Sequence, residues 1–398
     1  MVGVRQKINT VVINIAVLLG VLFVLEAAAY GVVRYLLPIE HDLEFFACYD
    51  SDLGWVNRAG ASGIFDRGGM LESHVSINDY GLRGPSVEKD KPSGIFRVAI
   101  LGDSFAWGLG VHDRQTLSAQ LSRLLPPEVE VLNFAVSGYG RGQQWLQLRR
   151  EVLSFNPDAV IVLAYPGNDL YDNVADDPIR EAYPRPRFSL DNHGQVKIMG
   201  QPVPEPKCSI SERRLAMRAS RFMGIYLRSY LFRAVFHLVS EEPKAVLRVP
   251  PYYFEVFQCR HQMKLLRQAT VEAEILCKMR RLLDERGISF LVAVATTMEQ
   301  MQPMLQARLQ QLYPEMDLDW RQPNRMLFKA AEEAQVSALD LYPSLVLQDH
   351  PAKPVHHHID THWTPHGQLA CARALQPWIV QEFKRWQQAR ARTALAIQ

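Results

Sequence analysis

Ser104 stands in Leu101-Gly102-Asp103-Ser104-Phe105-Ala106-Trp107-Gly108, directly after the apolar run Phe96-Arg97-Val98-Ala99-Ile100-Leu101. A serine hydroxyl becomes a nucleophile when a base takes its proton and fixed donors hold the oxyanion that forms. The apolar run reads as a buried strand, and after Gly110 the polarity pattern turns helical. Ser104 therefore falls where a strand hands over to a helix. There its hydroxyl is exposed at the C-terminal edge of the strand, beside helix N–H groups that suit an oxyanion. Taken alone, Gly-Asp-Ser is also a common turn, so the groups at the other strand ends decide the matter.

Three further blocks carry chemistry. They are Asn133-Phe-Ala-Val-Ser-Gly138-Tyr-Gly140, Tyr165-Pro-Gly-Asn168-Asp169, and His356-His-His-Ile-Asp360-Thr-His362-Trp363-Thr-Pro-His366-Gly367. Gly138 fits a backbone that must approach a substrate with no Cβ in the way; it also fits an ordinary turn, and Gly140 is a rival. Asn168 fits a donor or a turn cap. His362, His366 and His358 are all candidate bases, and Asp103 reads as support for its own turn. Three adjacent histidines, 356–358, cannot all face one ion on regular structure, so no metal site is expected.

The elements that must position these blocks alternate strand and helix. Helices are expected at Thr116–Leu125, Gln143–Leu153, Thr270–Arg286, Pro323–Glu333 and His366–Arg390. Strands are expected at Phe96–Leu101, Val129–Ala135, Asp158–Tyr165, Ile288–Ala295 and Val336–Leu341. Runs apolar on both faces and joined by helices suit a parallel sheet covered on both sides. In such a sheet the functional groups gather at the C-terminal strand ends, where the four blocks lie.

The expected organisation has five parts. Residues 1–36 form a cytoplasmic N-terminus and membrane anchor, and 37–94 an irregular, partly β lead-in. Residues 95–171 and 263–398 form the two halves of the main domain, and 172–262 an insertion acting as a lid. The insertion carries proline clusters and a helical stretch at Ser211–Val239. Its arginines (213, 214, 218, 221, 228 and 233) read as solvated faces, or else as contacts for an acidic glycan or membrane head groups.

Hydrophobic residues make up 48% and charged residues 22% of the 398, as in a folded globular chain. The net charge of +2 argues against a nucleic-acid partner. Residues 11–25 are almost wholly apolar, Glu26 interrupts before Ala27–Val33 continue the run, and a span from about Ile8 to Val33 is long enough to cross a bilayer, which takes roughly 20 residues. Arg5 and Lys7 before it favour a cytoplasmic N-terminus, with the rest of the chain outside. A cleaved signal peptide using Ala27-Ala28-Ala29 and a buried helix are the other readings. The five cysteines show no metal spacing; Cys208 with Cys259 is the expected disulfide, with free thiols as the alternative.

Together the four blocks resemble the SGNH (GDSL-type) hydrolase superfamily, at Ser104, Gly138, Asn168 and a histidine of the Asp360–His366 segment. The resemblance is close over about 95–170 and carries through 285–390 by element order and the last motif. It implies a three-layer α/β/α sandwich on a five-stranded parallel, flavodoxin-like sheet. It implies a Ser104 nucleophile, His362 as base and Asp360 as its orienting carboxylate. The implied oxyanion donors are the Ser104 and Gly138 N–H groups and the Asn168 side chain, with no cofactor. The family's usual aspartate lies three residues before the histidine, whereas here the spacing is two. Asp360-Thr-His362-Trp363 resembles the Asp-x-His-Trp motif of SGNH-like proteins that O-acetylate exported bacterial polysaccharides, as in alginate acetylation. Asn78-Asp-Tyr-Gly-Leu-Arg83-Gly84-Pro85 likewise resembles membrane-anchored bacterial members linked to surface polysaccharides. The resemblance implies a serine esterase acting on O-acyl, and first of all O-acetyl, esters of carbohydrate. The alternatives are an O-acetyltransferase for an exported polysaccharide and an inactive glycan-binding scaffold. Partners in polysaccharide biosynthesis or export, and a periplasmic location on the inner membrane, follow from the same resemblance.

Overall fold

The computed structural model describes residues 40–41, 45–66, 71–173, 184–205, 251–259, 262–358 and 360–397, with scattered positions between 14 and 26. Its centre is a sheet of five parallel strands. These are β6 (Phe96–Leu101), β7 (Val129–Asn133), β8 (Ala159–Ala164), β11 (Ser289–Val294) and β12 (Ser337–Asp340), in the order β12-β11-β8-β6-β7. Read from β6 this is the 2-1-3-4-5 order of a flavodoxin-like sheet, as expected. β6 and β8 are buried at every position, which is why their sequences read as continuous apolar runs.

The period of two along each strand feeds two cores. Val98, Ile100, Ile161 and Leu163 pack on one face with α2 (Leu117–Leu124) and α7 (Pro365–Ile397). Ala99, Leu101, Val160 and Val162 pack on the other with α3 (Arg141–Arg150), α5 (Gln262–Asp284) and α6 (Gln322–Glu333). Helices thus close over both faces of the sheet. Two short helices complete the strand ends, α1 (Ser104–Trp107) after β6 and α4 (Asp169–Asp172) after β8.

Before the sheet, β1 (Glu40–His41), β4 (Ser62–Asp66) and β5 (Glu72–Ser76) form one small sheet, and β2 (Ala47–Asp50) with β3 (Gly54–Asn57) a hairpin. In the insertion, β9 (Arg187–Leu190) pairs antiparallel with β10 (Val196–Met199). The helix expected at Ser211–Val239 lies outside the described residues. So does most of the apolar stretch near the N-terminus; among the described residues no helix is long and apolar enough to cross a membrane.

Several boundaries differ from expectation. α5 begins at Gln262, eight residues before Thr270, and α3 begins at Arg141 instead of Gln143. Helices at Pro303–Leu312 and Tyr342–Gln348 were not anticipated; each opens on a proline-bearing first turn that reads locally as a breaker. The disulfide expected between Cys208 and Cys259 is corrected: Cys259 is a free thiol, and Cys208 lies outside the described residues.

Candidate active site

Ser104 is the first residue of α1, so its N–H has no acceptor within the helix. The Asp103 carboxylate caps that helix by accepting from the Phe105 N–H at 2.9 Å. At the far end Gly108 adopts a left-handed conformation. Arg83, fully buried, donates there to the carbonyls of Trp107 (3.0 Å), Gly108 (2.6 Å) and Val111 (2.7 Å). A four-residue helix is thus pinned at both ends, which fixes where the hydroxyl points.

His362 Nε2 lies 2.7 Å from Ser104 Oγ, although the two residues are 258 apart in the chain. Asp360 Oδ1 accepts from the His362 Nδ1–H. The same oxygen accepts from the His362 backbone N–H at 3.1 Å. That double use explains the spacing of two: an aspartate closing a local turn on residue i+2 also meets that residue's ring. With the proton held on Nδ1, Nε2 is left to accept from the Ser104 hydroxyl. The Phe105 ring stacks on His362 at 4.8 Å between centroids and on Tyr165 at 3.8 Å, and Trp363 meets Phe105 edge-on.

The rival bases are elsewhere. His366 Nε2 contacts the Gln348 carbonyl at 2.9 Å, and His358 is exposed. His356 is 2% exposed, and burial pushes its imidazole down to about 3, which keeps it neutral. Among the described residues no His, Cys, Asp and Glu cluster has the arrangement of a metal site.

Of the two glycines, Gly140 is occupied: its N–H donates to Gln143 Oε1 at 3.2 Å, and it caps α3. Gly138 has φ +82, and its N–H meets no backbone acceptor among the described residues. Asn168 occupies the N-cap position of α4 after β8 but makes no side-chain capping bond; its Nδ2 donates to Asp172 Oδ2 at 2.7 Å. The blocks carrying Ser104 and Asn168 leave the adjacent strands β6 and β8, where the strand order reverses.

Behind Asn168 lies a buried ionic cluster that the sequence did not reveal. Arg141 donates to Asp169 Oδ2 at 2.8 Å and to Glu272 Oε1 at 2.7 Å, with all three side chains fully enclosed. Asp169 also accepts from the Tyr165 N–H at 2.9 Å, and Asn173 donates to Glu272 at 2.9 Å. Breaking one partner of such a cluster leaves a bare buried charge, so the turn is held firmly. The faint signal was an arginine at a helix start that no surface pattern required.

Residues 258–397 match the family described as SGNH hydrolase-like domain, acetyltransferase AlgX. No curated protein sequence matches the chain significantly. Similar solved structures include the lipase/acylhydrolase from Enterococcus faecalis, at 11% identity over 72% of this chain and 95% of that one, TM-score 0.37. Another is a lipolytic protein of the G-D-S-L family from Desulfitobacterium hafniense, at 12% identity over 71% and 98%, TM-score 0.32. A third is a catalytic mutant of an acetylxylan esterase from Geobacillus stearothermophilus, at 11% identity over 72% and 94%, TM-score 0.34. The family match includes the Asp360–His366 block, which the fold brings onto the Gly-Asp-Ser turn.

Proposed function

We propose that the protein is a serine-dependent, ester-acting enzyme that carries an acyl group, by preference acetyl, on Ser104. The observation that carries this reading is the hydrogen-bonded series Ser104, His362, Asp360. As Ser104 Oγ attacks the ester carbonyl, its proton passes to His362 Nε2, and Asp360 stabilises the imidazolium. The Ser104 and Gly138 N–H groups and the Asn168 amide hold the tetrahedral oxyanion. Collapse expels the alcohol, which takes the proton from His362 and leaves acyl-Ser104. An incoming hydroxyl then gives its proton to His362 and attacks the acyl carbon, and collapse releases Ser104, whose Oγ takes that proton back from His362.

The incoming hydroxyl decides the reaction: water makes an esterase, a sugar makes an O-acetyltransferase. The match to an acetyltransferase-type domain over the segment holding Asp360 and His362 supports acyl transfer over simple hydrolysis, and the Asp-x-His-Trp resemblance suggests a sugar hydroxyl as acceptor. We further place the apolar N-terminal run across the inner membrane and the catalytic domain in the periplasm, on the basis of Arg5, Lys7 and the run's length. We also propose that the insertion at 172–262 acts as a lid.

The purified protein should release p-nitrophenol from p-nitrophenyl acetate. Ser104→Ala should lower that rate by at least about 10³-fold. Equal rates for the two proteins would sink the enzyme reading. Adding an acetylatable oligosaccharide and weighing it by mass spectrometry separates the two directions. Acetylated sugar marks the transferase, and acetate alone the esterase.

A further inference from the structure

Trp55, on β3 in the lead-in hairpin, donates its indole N–H to the Ser137 carbonyl at 3.0 Å. That carbonyl belongs to the same peptide group as the Gly138 N–H. In a trans peptide the two point in opposite directions, so the indole turns the Gly138 N–H away from itself and polarises it. The rest of β3 grips the same loop. Asn57 donates to the Ala135 carbonyl at 3.1 Å, and the Trp55 carbonyl accepts from the Tyr139 hydroxyl at 2.5 Å.

Arg185 reaches this place from the insertion. Its Nη1 donates to the Gly138 carbonyl at 3.2 Å and to Asp172 Oδ1 at 3.1 Å. The other oxygen of Asp172 accepts from Asn168 Nδ2 at 2.7 Å. One guanidinium therefore ties the loop of Gly138 to the carboxylate that holds Asn168, and its ion pair with Asp172 is nearly buried on both sides. The guanidinium also lies over the Trp55 ring, 5.6 Å from its centroid. Gly54 makes room: a Cβ there would stand 2.3 Å from the Pro184 carbonyl.

We infer that Trp55 and Arg185 are positioning residues that set the two oxyanion donors outside the nucleophile turn, so the lead-in and the insertion both build the catalytic site. The inference rests on the Ser104 acyl-enzyme reading and deepens it. It joins parts of the chain that carry none of the four motif blocks.

Four proteins test it, all as the full chain: wild type, Ser104→Ala, Trp55→Phe and Arg185→Gln. Phenylalanine keeps an aromatic ring for Arg185 and Tyr139 but removes the donor. Trp55→Phe and Arg185→Gln should each lose about tenfold in kcat on p-nitrophenyl acetate, with KM within about twofold. Affinity for phenylboronic acid, whose serine adduct places an oxygen in the oxyanion site, should fall by the same factor as kcat/KM. Trp55→Phe should melt close to wild type, which separates positioning from general damage. The inference is overturned if both variants keep wild-type kcat, or if boronate affinity is unchanged while kcat falls. Wild-type turnover that does not depend on Ser104 would overturn the acyl-enzyme reading as well. Ser104-dependent turnover that is indifferent to both substitutions overturns only the positioning role.

Discussion

Asp103 works against its surroundings. It is 1% exposed, and burial raises its carboxyl to about 6 from an ordinary 3.8, against the pull of the Phe105 N–H and His362. A carboxyl raised on folding favours the folded state fully below its unfolded value and loses that contribution as pH climbs through about 6. An asparagine in its place would keep a capping oxygen for Phe105 without the charge. Asp103→Asn should therefore gain stability over wild type as pH rises from about 4 to 7, by on the order of 3 kcal/mol at most. Urea melts across that range check it, and a pH-independent difference would refute it. His356 has the opposite sign. Held near 3 against an ordinary 6.5, it lowers stability as pH falls through that interval, in wild type and variant alike, and cancels from the comparison.

At the scale of elements, α1 is too short to stand by itself, and Arg83 bears its C-terminal end. Arg83→Met would leave three inward carbonyls without their donor and break the contact with Asp113, seen at 3.2 Å. A loss of about 3 kcal/mol in unfolding free energy follows, measurable by denaturant titration; a change below about 1 kcal/mol would contradict this role. The strands were legible because burial on both faces leaves an unbroken apolar signature, as in Ala159–Ala164. His362 and Ser104 were legible because each sits in a motif beside a strand end or the last helix. Arg141 with Glu272, and Trp55 with the Ser137 carbonyl, were not, because they join groups 131 and 82 residues apart, and no local periodicity encodes such a pair. The start of α3 was missed for a related reason. Gly142 reads as a helix breaker, yet a Cβ there would stand 2.1 Å from the Phe188 ring, so packing against β9 dictates the residue.

At the scale of the whole molecule, the main sheet is completed only by segments from both sides of the insertion. The proposed topology puts that assembly outside the cytoplasm. An alkaline phosphatase fused at the C-terminus should then be active in cells, since that enzyme matures only in an oxidising compartment. A fusion that is expressed but silent would refute the exported orientation. Deleting residues 1–36 should shift the protein from the membrane fraction, and retention there would point to another attachment.

The bond between Ser104 and His362 spans 258 residues. Closing so long a loop costs entropy before any contact repays it, and chains dominated by distant contacts fold slowly. The Ser104–His362 contact therefore carries a high closure cost. A nascent chain carries Gly-Asp-Ser long before it carries His362, and on the proposed mechanism no fragment ending ahead of residue 362 should turn over p-nitrophenyl acetate. Under the proposed mechanism the order of synthesis keeps Ser104 idle until 258 further residues have been added.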